Sequence, residues 1–417
     1  MIKNILFIIL LSGILFFPNG GILDDSTLIS SILILISCFL GRFKNKKCLQ
    51  DILYLLPLIA LSFYSLLVIY INQSYDFYYF LNFSRVIIIS LGIYSLIRIF
   101  NLGVFQNLSN IYIALYVNVL ITLVQYYDWF GLAQFAFSIN KQFISYAFRE
   151  YRVMGLLSGY DSNGITLAFT LVLGTILFFI SKNIYIKIIF LVLNFGCLIG
   201  LLFASRTGIV AAIIGTAIIF IVINWKNYLK LIVALVGILV FVVVLYKSVI
   251  TFEQFVPQKY QQTYEFMFEP ILNYYHYGKF ESISTDDLVK NHYTKLSDDN
   301  FIVMFGSSFS NASKLGGYTD VGYLQIINGL GLIGLLLVLI CFGYWTFLIF
   351  KVKRQYFPSV DESTRLPYKY ILAYLIAFVI NIFILNFKGP YFYADTIIFI
   401  FMTVFLTYFY EIRIMQE

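Results

Sequence analysis

Charge is scarce in this sequence. Asp, Glu, Lys and Arg make up 12% of the 417 residues, 61% are hydrophobic, and the mean hydropathy is +0.87. That composition excludes an ordinary soluble globular domain and leaves a chain that lives in lipid. Histidine is nearly absent, with only His276 and His292, and no Cys and His spacing suits a metal ion, so neither a metal nor a cofactor is expected. No Gly-x-x-x-x-Gly-Lys phosphate loop occurs, and no dinucleotide fingerprint opens a helix after a strand; ATP hydrolysis by this chain is not expected. The four cysteines, Cys38, Cys48, Cys197 and Cys341, fall in apolar runs or in segments read below as inner, which implies no disulfide framework.

What is present is a series of apolar runs. We read spans at 3–17, 27–40, 50–71, 79–100, 106–127, 161–181, 185–203, 207–223, 228–249, 321–350, 368–386 and 391–411. Most approach the ~20 residues a helix needs to cross the hydrocarbon core. The fold class expected is therefore an all-α polytopic membrane protein with about 12 transmembrane helices. The run from Ile5 to Phe17 also has the length of a signal-peptide core, but no Ala-x-Ala site follows it, and a retained first helix is expected.

Cations between the spans set the orientation. With the N-terminus inside, the inner segments collect Lys3, Arg42, Lys44, Lys46, Lys47, Arg98, Lys182, Lys187, Lys226, Lys230, Lys351, Lys353, Arg354, Arg365, Lys369 and Arg413. Those are sixteen of the 28 Lys and Arg, and positive residues in short loops favour the cytoplasmic side. Both termini are expected there. The net charge of +7 is then a topology signal, and no nucleic-acid partner is implied.

Two outer segments exceed what a connection needs, 128–160 and 251–320. The chain thus divides into an N-terminal bundle over 1–250 of about nine helices, a large outer loop over 251–320, and about three C-terminal helices over 321–417. The large loop holds nine acids and five lysines and both histidines. Residues 253–280 mix Tyr, Phe and Met with charges, the pattern of amphipathic helices on a membrane face, whereas 281–320 reads as irregular.

Outer cations are the candidates for chemistry, because the positive-inside bias does not account for them. Arg206 stands in the tight turn Phe-Ala-Ser-Arg-Thr-Gly-Ile; arginine at that depth is costly and points to an anionic partner, with snorkelling to the headgroups as the alternative. Arg149 and Arg152 flank Glu150, which one of them can simply neutralise. Arginine grips phosphate oxygens in a fork that lysine cannot form. Arg85, inside the fourth span, and Lys388, in the turn 386–391, are each anchors or ligand contacts. Five cations at the outer-leaflet level suit a lipid-linked phosphate or pyrophosphate. Asp320, delivered to a long helix by a hydroxyl-rich loop, is read either as the helix N-cap or as a base for a sugar hydroxyl.

Three sequence features carry a family resemblance: Ser-Arg-Thr-Gly at 205–208; Arg152 with Gly155 and Asn163-Gly164; and Asp320-x-Gly-Tyr-Leu followed by Gly-Leu-Ile-Gly at 331–334. In this order, with the long loop ending at Asp320, the chain resembles the O-antigen polymerase (Wzy) family over nearly its whole length. The resemblance implies a GT-C-like glycosyltransferase of the bacterial inner membrane, joining oligosaccharide repeat units carried on undecaprenyl pyrophosphate at the periplasmic face. On that reading Arg206 and Arg152 hold the leaving pyrophosphate, Arg149, Lys388 and Arg85 assist, and Asp320 or His292 takes the acceptor proton. Tyr318 and Tyr323, with Tyr274, Tyr275, Tyr277 and Tyr293, are candidates to stack on sugar faces. Implied partners are the lipid-linked glycans, membrane lipids, and a flippase and chain-length regulator of the same pathway. The Arg-x10-Gly spacing of some relatives is not met, since Gly164 lies one residue too far from Arg152. The alternatives are an O-antigen ligase, whose His-x-His-Asn element is replaced here by Thr-Asp-Val-Gly-Tyr, and a polysaccharide flippase, disfavoured by the lack of an internal repeat.

Overall fold

The computed structural model describes residues 2–16, 25–41, 53–132, 152–157, 159–279, 282, 286–309, 319–356, 362–392 and 395–414. Among these, all regular structure is helical. The helices are α1 (Ile2–Phe16), α2 (Asp25–Phe39), α3 (Leu56–Ile71), α4 (Tyr78–Phe100), α5 (Val104–Tyr127), α6 (Tyr160–Ile180), α7 (Ile184–Ala204), α8 (Arg206–Asn224), α9 (Tyr228–Glu253), α10 (Gln258–Tyr277), α11 (Asn300–Phe305), α12 (Gly322–Tyr356), α13 (Glu362–Leu385) and α14 (Asp395–Ile414). Each of the twelve apolar runs corresponds to one of these helices. Among the described residues, eight are long and apolar enough to cross a membrane: α3 to α8, α12 and α13. With only 15 residues each, α1 and α2 fall short of the usual span.

Small polar residues punctuate the bundle. Asn183 Oδ1 accepts from Tyr185 N at 2.9 Å, Ser205 Oγ from Gly208 N at 3.1 Å and Asn227 Oδ1 from Lys230 N at 3.1 Å, capping α7, α8 and α9. Each side chain satisfies a backbone donor that a helix start leaves open.

Of the eight long apolar helices α6 is the most buried, over 78% of its apolar window, whereas α7 is buried over only 22%. Accordingly α6 packs against α5, α7, α8 and α13, and α7 turns Ile188, Leu191, Val192 and Phe195 outward, as a lipid-facing helix does. The helices after the large loop are threaded among the earlier ones: α13 lies against α8 and α6, α14 against α4 and α5, and α12 against α3. Aromatic packing seals these seams, with Phe169 stacked on Phe378 at 3.9 Å and Trp345 Nε1 donating to Tyr54 O at 3.0 Å.

The turns read as outer gather at one end of the bundle, where Asn72 Nδ2 donates to Gly306 O (3.0 Å), Thr396 Oγ1 to Leu15 O (3.1 Å) and Tyr293 Oη to Phe387 O (2.7 Å). Contacts among the segments read as inner lie at the other end, including Gln106 to Asn4 (2.9 Å) and Lys369 Nζ to Ile223 O (3.0 Å).

The large loop departs from the expectation in part. Residues 258–277 form the amphipathic helix foreseen, but 281–320 is not wholly irregular: a π-helical turn spans Leu288–His292, and α11 follows. The long helix α12 is broken at Gly331 (φ 73°, ψ 178°), a backbone conformation open to glycine. The break lets the carbonyls of Asn328, Gly329 and Leu330 accept from Ser307 N, Ser308 N and Tyr64 Oη, which docks α11 and the chain after it into the kink.

Candidate functional site

Buried amide side chains fasten the segment that carries Arg152. Gln125 of α5 grips Gly155 on both sides, accepting from its N at 2.8 Å and donating to its O at 2.9 Å. Asn118 Oδ1 accepts from Leu156 N at 2.7 Å, and Asn118 Nδ2 donates to Asn163 Oδ1 at 2.7 Å. Asn163 Nδ2 in turn donates to Val153 O at 3.1 Å and to Thr122 Oγ1 at 3.2 Å. Gly155, at φ 61°, has no room for a Cβ among Asn118, Thr122 and Asn163. A loop buried this deeply survives only because its polar groups are paired.

Arg152 is thereby aimed at the start of α8. Its Nε donates to Ala204 O at 3.0 Å, one guanidinium nitrogen reaches Asp161 Oδ1 at 3.3 Å, and the guanidinium lies over the rings of Tyr160 (4.4 Å) and Phe266 (4.7 Å). Arg206, the first residue of α8, faces the same Phe266 ring at 4.5 Å and pairs with Glu269 at 2.6 Å. Lys388 completes the group from the turn after α13, with Nζ 2.5 Å from Thr207 Oγ1 and 3.7 Å from Asp161 Oδ2. The close contact of Gly164 with Gly208, whose Cβ would strike the Gly164 backbone, brings Asp161 to Ser205 and Thr207. Among the described residues three cations thus face two carboxylates, and these five side chains sum to a formal charge of +1. Partial burial pushes the Lys388 ammonium below the usual lysine range; Asp161 opposes that shift, and Arg152 and Arg206 add to it.

A second polar group lies across the turn 386–392. Asp320 N donates to His292 Nδ1 at 2.9 Å, and Thr319 Oγ1 donates to His292 O at 3.0 Å. With Nδ1 accepting, neutral His292 must carry its proton on Nε2, which lies 3.5 Å from Asp287 Oδ2 and 3.8 Å from Asp320 Oδ2. Neutral His292 therefore presents an Nε2 proton on the side of the two carboxylates and, with Nδ1 taken by Asp320 N, has no lone pair left to act as a base. The N-cap reading of Asp320 is also corrected: Gln325 N bonds to Val321 O at 3.0 Å, so α12 starts beyond Asp320, whose carboxylate lies beside His292. The turn itself is gripped by both neighbours, since Gly322 N donates to Asn386 O at 3.0 Å and Tyr293 holds Phe387 O. Tyr391 is buried within it.

No protein-family model matches the chain, and no curated protein matches it. The residues themselves therefore carry the reading. Arg206, Arg152 and Lys388 come together as expected of a shared cluster. Arg85 does not join them; its helix packs on α1, α2, α3 and α14. Arg149 and Tyr318 lie outside the described residues. Tyr323 is committed to packing, its hydroxyl donating to Phe383 O at 2.8 Å and its ring against Phe387 and Phe392, which removes it as a sugar platform. Tyr274, Tyr275 and Tyr277 stand exposed on α10. Sequence reasoning missed Asp161, Phe266, Glu269 and Tyr391. Asp161 alone left a trace, an acid in the first turn of an apolar helix in Gly-Tyr-Asp-Ser-Asn-Gly.

Proposed function

We propose that the chain is a GT-C-like glycosyltransferase that polymerises oligosaccharide repeat units carried on undecaprenyl pyrophosphate, into O-antigen or a related surface polysaccharide. In this reading twelve helices span the bacterial inner membrane, with both termini cytoplasmic and the site on the periplasmic face. The observation that carries it is the meeting of Arg152, Arg206 and Lys388 at the start of α8, one short turn from Asp320 and His292. Charges gathered at one end of a bundle suit surface chemistry better than the midplane sites of transporters.

The step forms a bond between an acceptor hydroxyl oxygen and the anomeric carbon of the donor glycan. The bond from that carbon to the pyrophosphate oxygen breaks, and the pyrophosphate leaves with the electron pair. Guanidinium groups stabilise the developing charge through forked hydrogen bonds. Asp320 takes the hydroxyl proton, while His292 holds the Asp320 backbone in place by accepting from its N at Nδ1. Purified protein in liposomes, given lipid-pyrophosphate-linked repeat units and no ATP, is expected to yield a ladder of products on a carbohydrate gel. Arg206→Ala, checked for folding, is expected to abolish it. A ladder undiminished in that variant, or none from wild type under any condition, would sink the proposal.

A further inference from the structure

The arginine pair is not open. The Phe266 ring of α10 faces both guanidinium groups, 4.7 Å from Arg152 and 4.5 Å from Arg206, and Glu269, one turn further on, bonds Arg206 at 2.6 Å. Both members of that ion pair are largely withdrawn from water, with 15% and 17% side-chain exposure. An aromatic face and a carboxylate from one helix therefore fill the place where an anion would bind.

That helix is lightly held elsewhere. Of its twenty residues only Thr263, Met267 and Leu272 are buried. Its ties to the rest of the bundle include Tyr126 Oη to Thr263 Oγ1 at 2.9 Å, Tyr264 Oη to Val249 O, and His276 to Glu253 at 3.0 Å. An apolar cavity of about 270 Å³ opens between α10 and the ends of α5 and α7, lined by Tyr126, Tyr127, Phe203, Tyr260, Met267 and Phe268; the helix is thus poorly packed on the side by which it is attached. Pro257 precedes it, and Gly278, at φ 70°, ends it, so it is bounded as one unit.

We infer that α10 is a self-occupying lid: Glu269 and Phe266 hold the arginine site closed until a diphosphate displaces the Glu269 carboxylate and α10 lifts. The inference rests on reading the arginine pair as a pyrophosphate site. Release of Glu269 removes one of the two described carboxylates and raises the formal charge summed over the described side chains of the cluster from +1 to +2, which matches a multiply charged anion. Access of substrate is then coupled to the position of the large outer loop, and the two guanidinium groups stay largely withdrawn from water while the site is empty of ligand.

The test uses the full chain in nanodiscs with inorganic pyrophosphate as the probe. Glu269→Gln keeps the shape and removes the competing charge. Because a hydrogen bond between charged groups is stronger than its neutral counterpart, Glu269→Gln is expected to tighten pyrophosphate binding on the order of tenfold. Hydrogen exchange over 258–277 is expected to rise when pyrophosphate is added to wild type, and to be raised without ligand in Glu269→Gln. Phe266→Leu serves as a second variant, with the same direction expected and the charges intact. If wild type binds pyrophosphate but neither variant binds more tightly and α10 gains protection on binding, the lid is overturned while the proposed function stands. If neither wild type nor variant binds pyrophosphate, the anion site fails, and the lid and the proposed function fall together.

Discussion

Asn163→Ala is the sharpest probe of how this fold aims its arginine. The Asn163 carboxamide accepts from Asn118 Nδ2 at 2.7 Å and donates to Val153 O at 3.1 Å and Thr122 Oγ1 at 3.2 Å, in a site with no solvent exposure. Truncation orphans the Asn118 donor and the Val153 carbonyl. At about 1–3 kcal/mol for each buried group left unpaired, the loss is roughly 2–6 kcal/mol. The backbone bond from Val153 N to Phe203 O at 3.0 Å and both Gln125 bonds to Gly155 remain, so the segment 152–157 should loosen at one of its moorings, not detach. The expected result is a lower melting temperature in detergent, faster hydrogen exchange over 152–157, and weaker pyrophosphate binding through a less ordered Arg152. A water entering the vacated space can restore both bonds; Asn163→Leu, which fills that space without a polar atom, blocks this route and should be at least as damaging. Thr170→Val is the control, because Thr170 Oγ1 bonds to Thr166 O of its own helix at 2.8 Å. Wild-type melting and exchange in both Asn163 variants would refute the view that the amide network positions Arg152.

Three further outcomes are expected. Lys388 has its pKa held below the lysine norm, so as pH rises it should lose its proton earlier than an ordinary lysine, and pyrophosphate affinity should fall on the alkaline side before the usual lysine range is reached; Lys388→Arg, measured by titration calorimetry across pH, should remove that fall. Asp320→Asn should lower kcat by about 10²–10⁴-fold with little change in KM, while His292→Ala should lower it less, because the carboxylate survives; equal losses would contradict their assignment as base and positioning residue. Gly208→Ala places a Cβ against the Gly164 backbone, where overpacking costs about 1–3 kcal/mol; reduced thermal stability together with weaker pyrophosphate binding should follow, since the α6 and α8 starts must separate.

The helices were legible because lipid demands long apolar runs, and small polar residues such as Asn183 and Ser205 cut those runs at the observed ends. The clustering of Arg152, Arg206 and Lys388 was legible for the same reason: few charges are tolerated at that level, so each that occurs stands out. Asp161 and Glu269 did not stand out, because an acid near the polar face breaks no composition rule, and their meaning lies in contacts spanning 9 and 63 residues. The orientation of His292 was illegible for a different reason. Which imidazole nitrogen is engaged depends on a backbone amide 28 residues away, and no side-chain pattern encodes it. The kink at Gly331 was hidden because Gly-Leu-Gly-Leu-Ile-Gly reads as continuous apolar helix, and only the docking of α11 selects the break.

The carboxylates beside the arginines bear on function in a definite direction. A guanidinium group withdrawn from water must be paired, since an isolated buried charge costs more than any local packing returns. A site that is to receive an anion at this depth therefore needs a resident counter-charge in its empty state, and that counter-charge must be weaker competition than the ligand. Asp161 and Glu269 divide this task unequally. Asp161 is shared by Arg152 and Lys388 and belongs to the most buried of the eight long apolar helices, so it stays when ligand arrives and sets the geometry. Glu269 rides on a lightly attached helix and pairs with Arg206, so it is the one that can leave. Arg206→Ala and Glu269→Gln should accordingly move pyrophosphate affinity in opposite directions, while Asp161→Asn should weaken binding by releasing Arg152 and Lys388 from their shared anchor. Affinities ordered Glu269→Gln, wild type, Asp161→Asn from tightest to weakest would follow from this division of roles, and a tighter Asp161→Asn would contradict it, since net charge alone would then be setting the affinity.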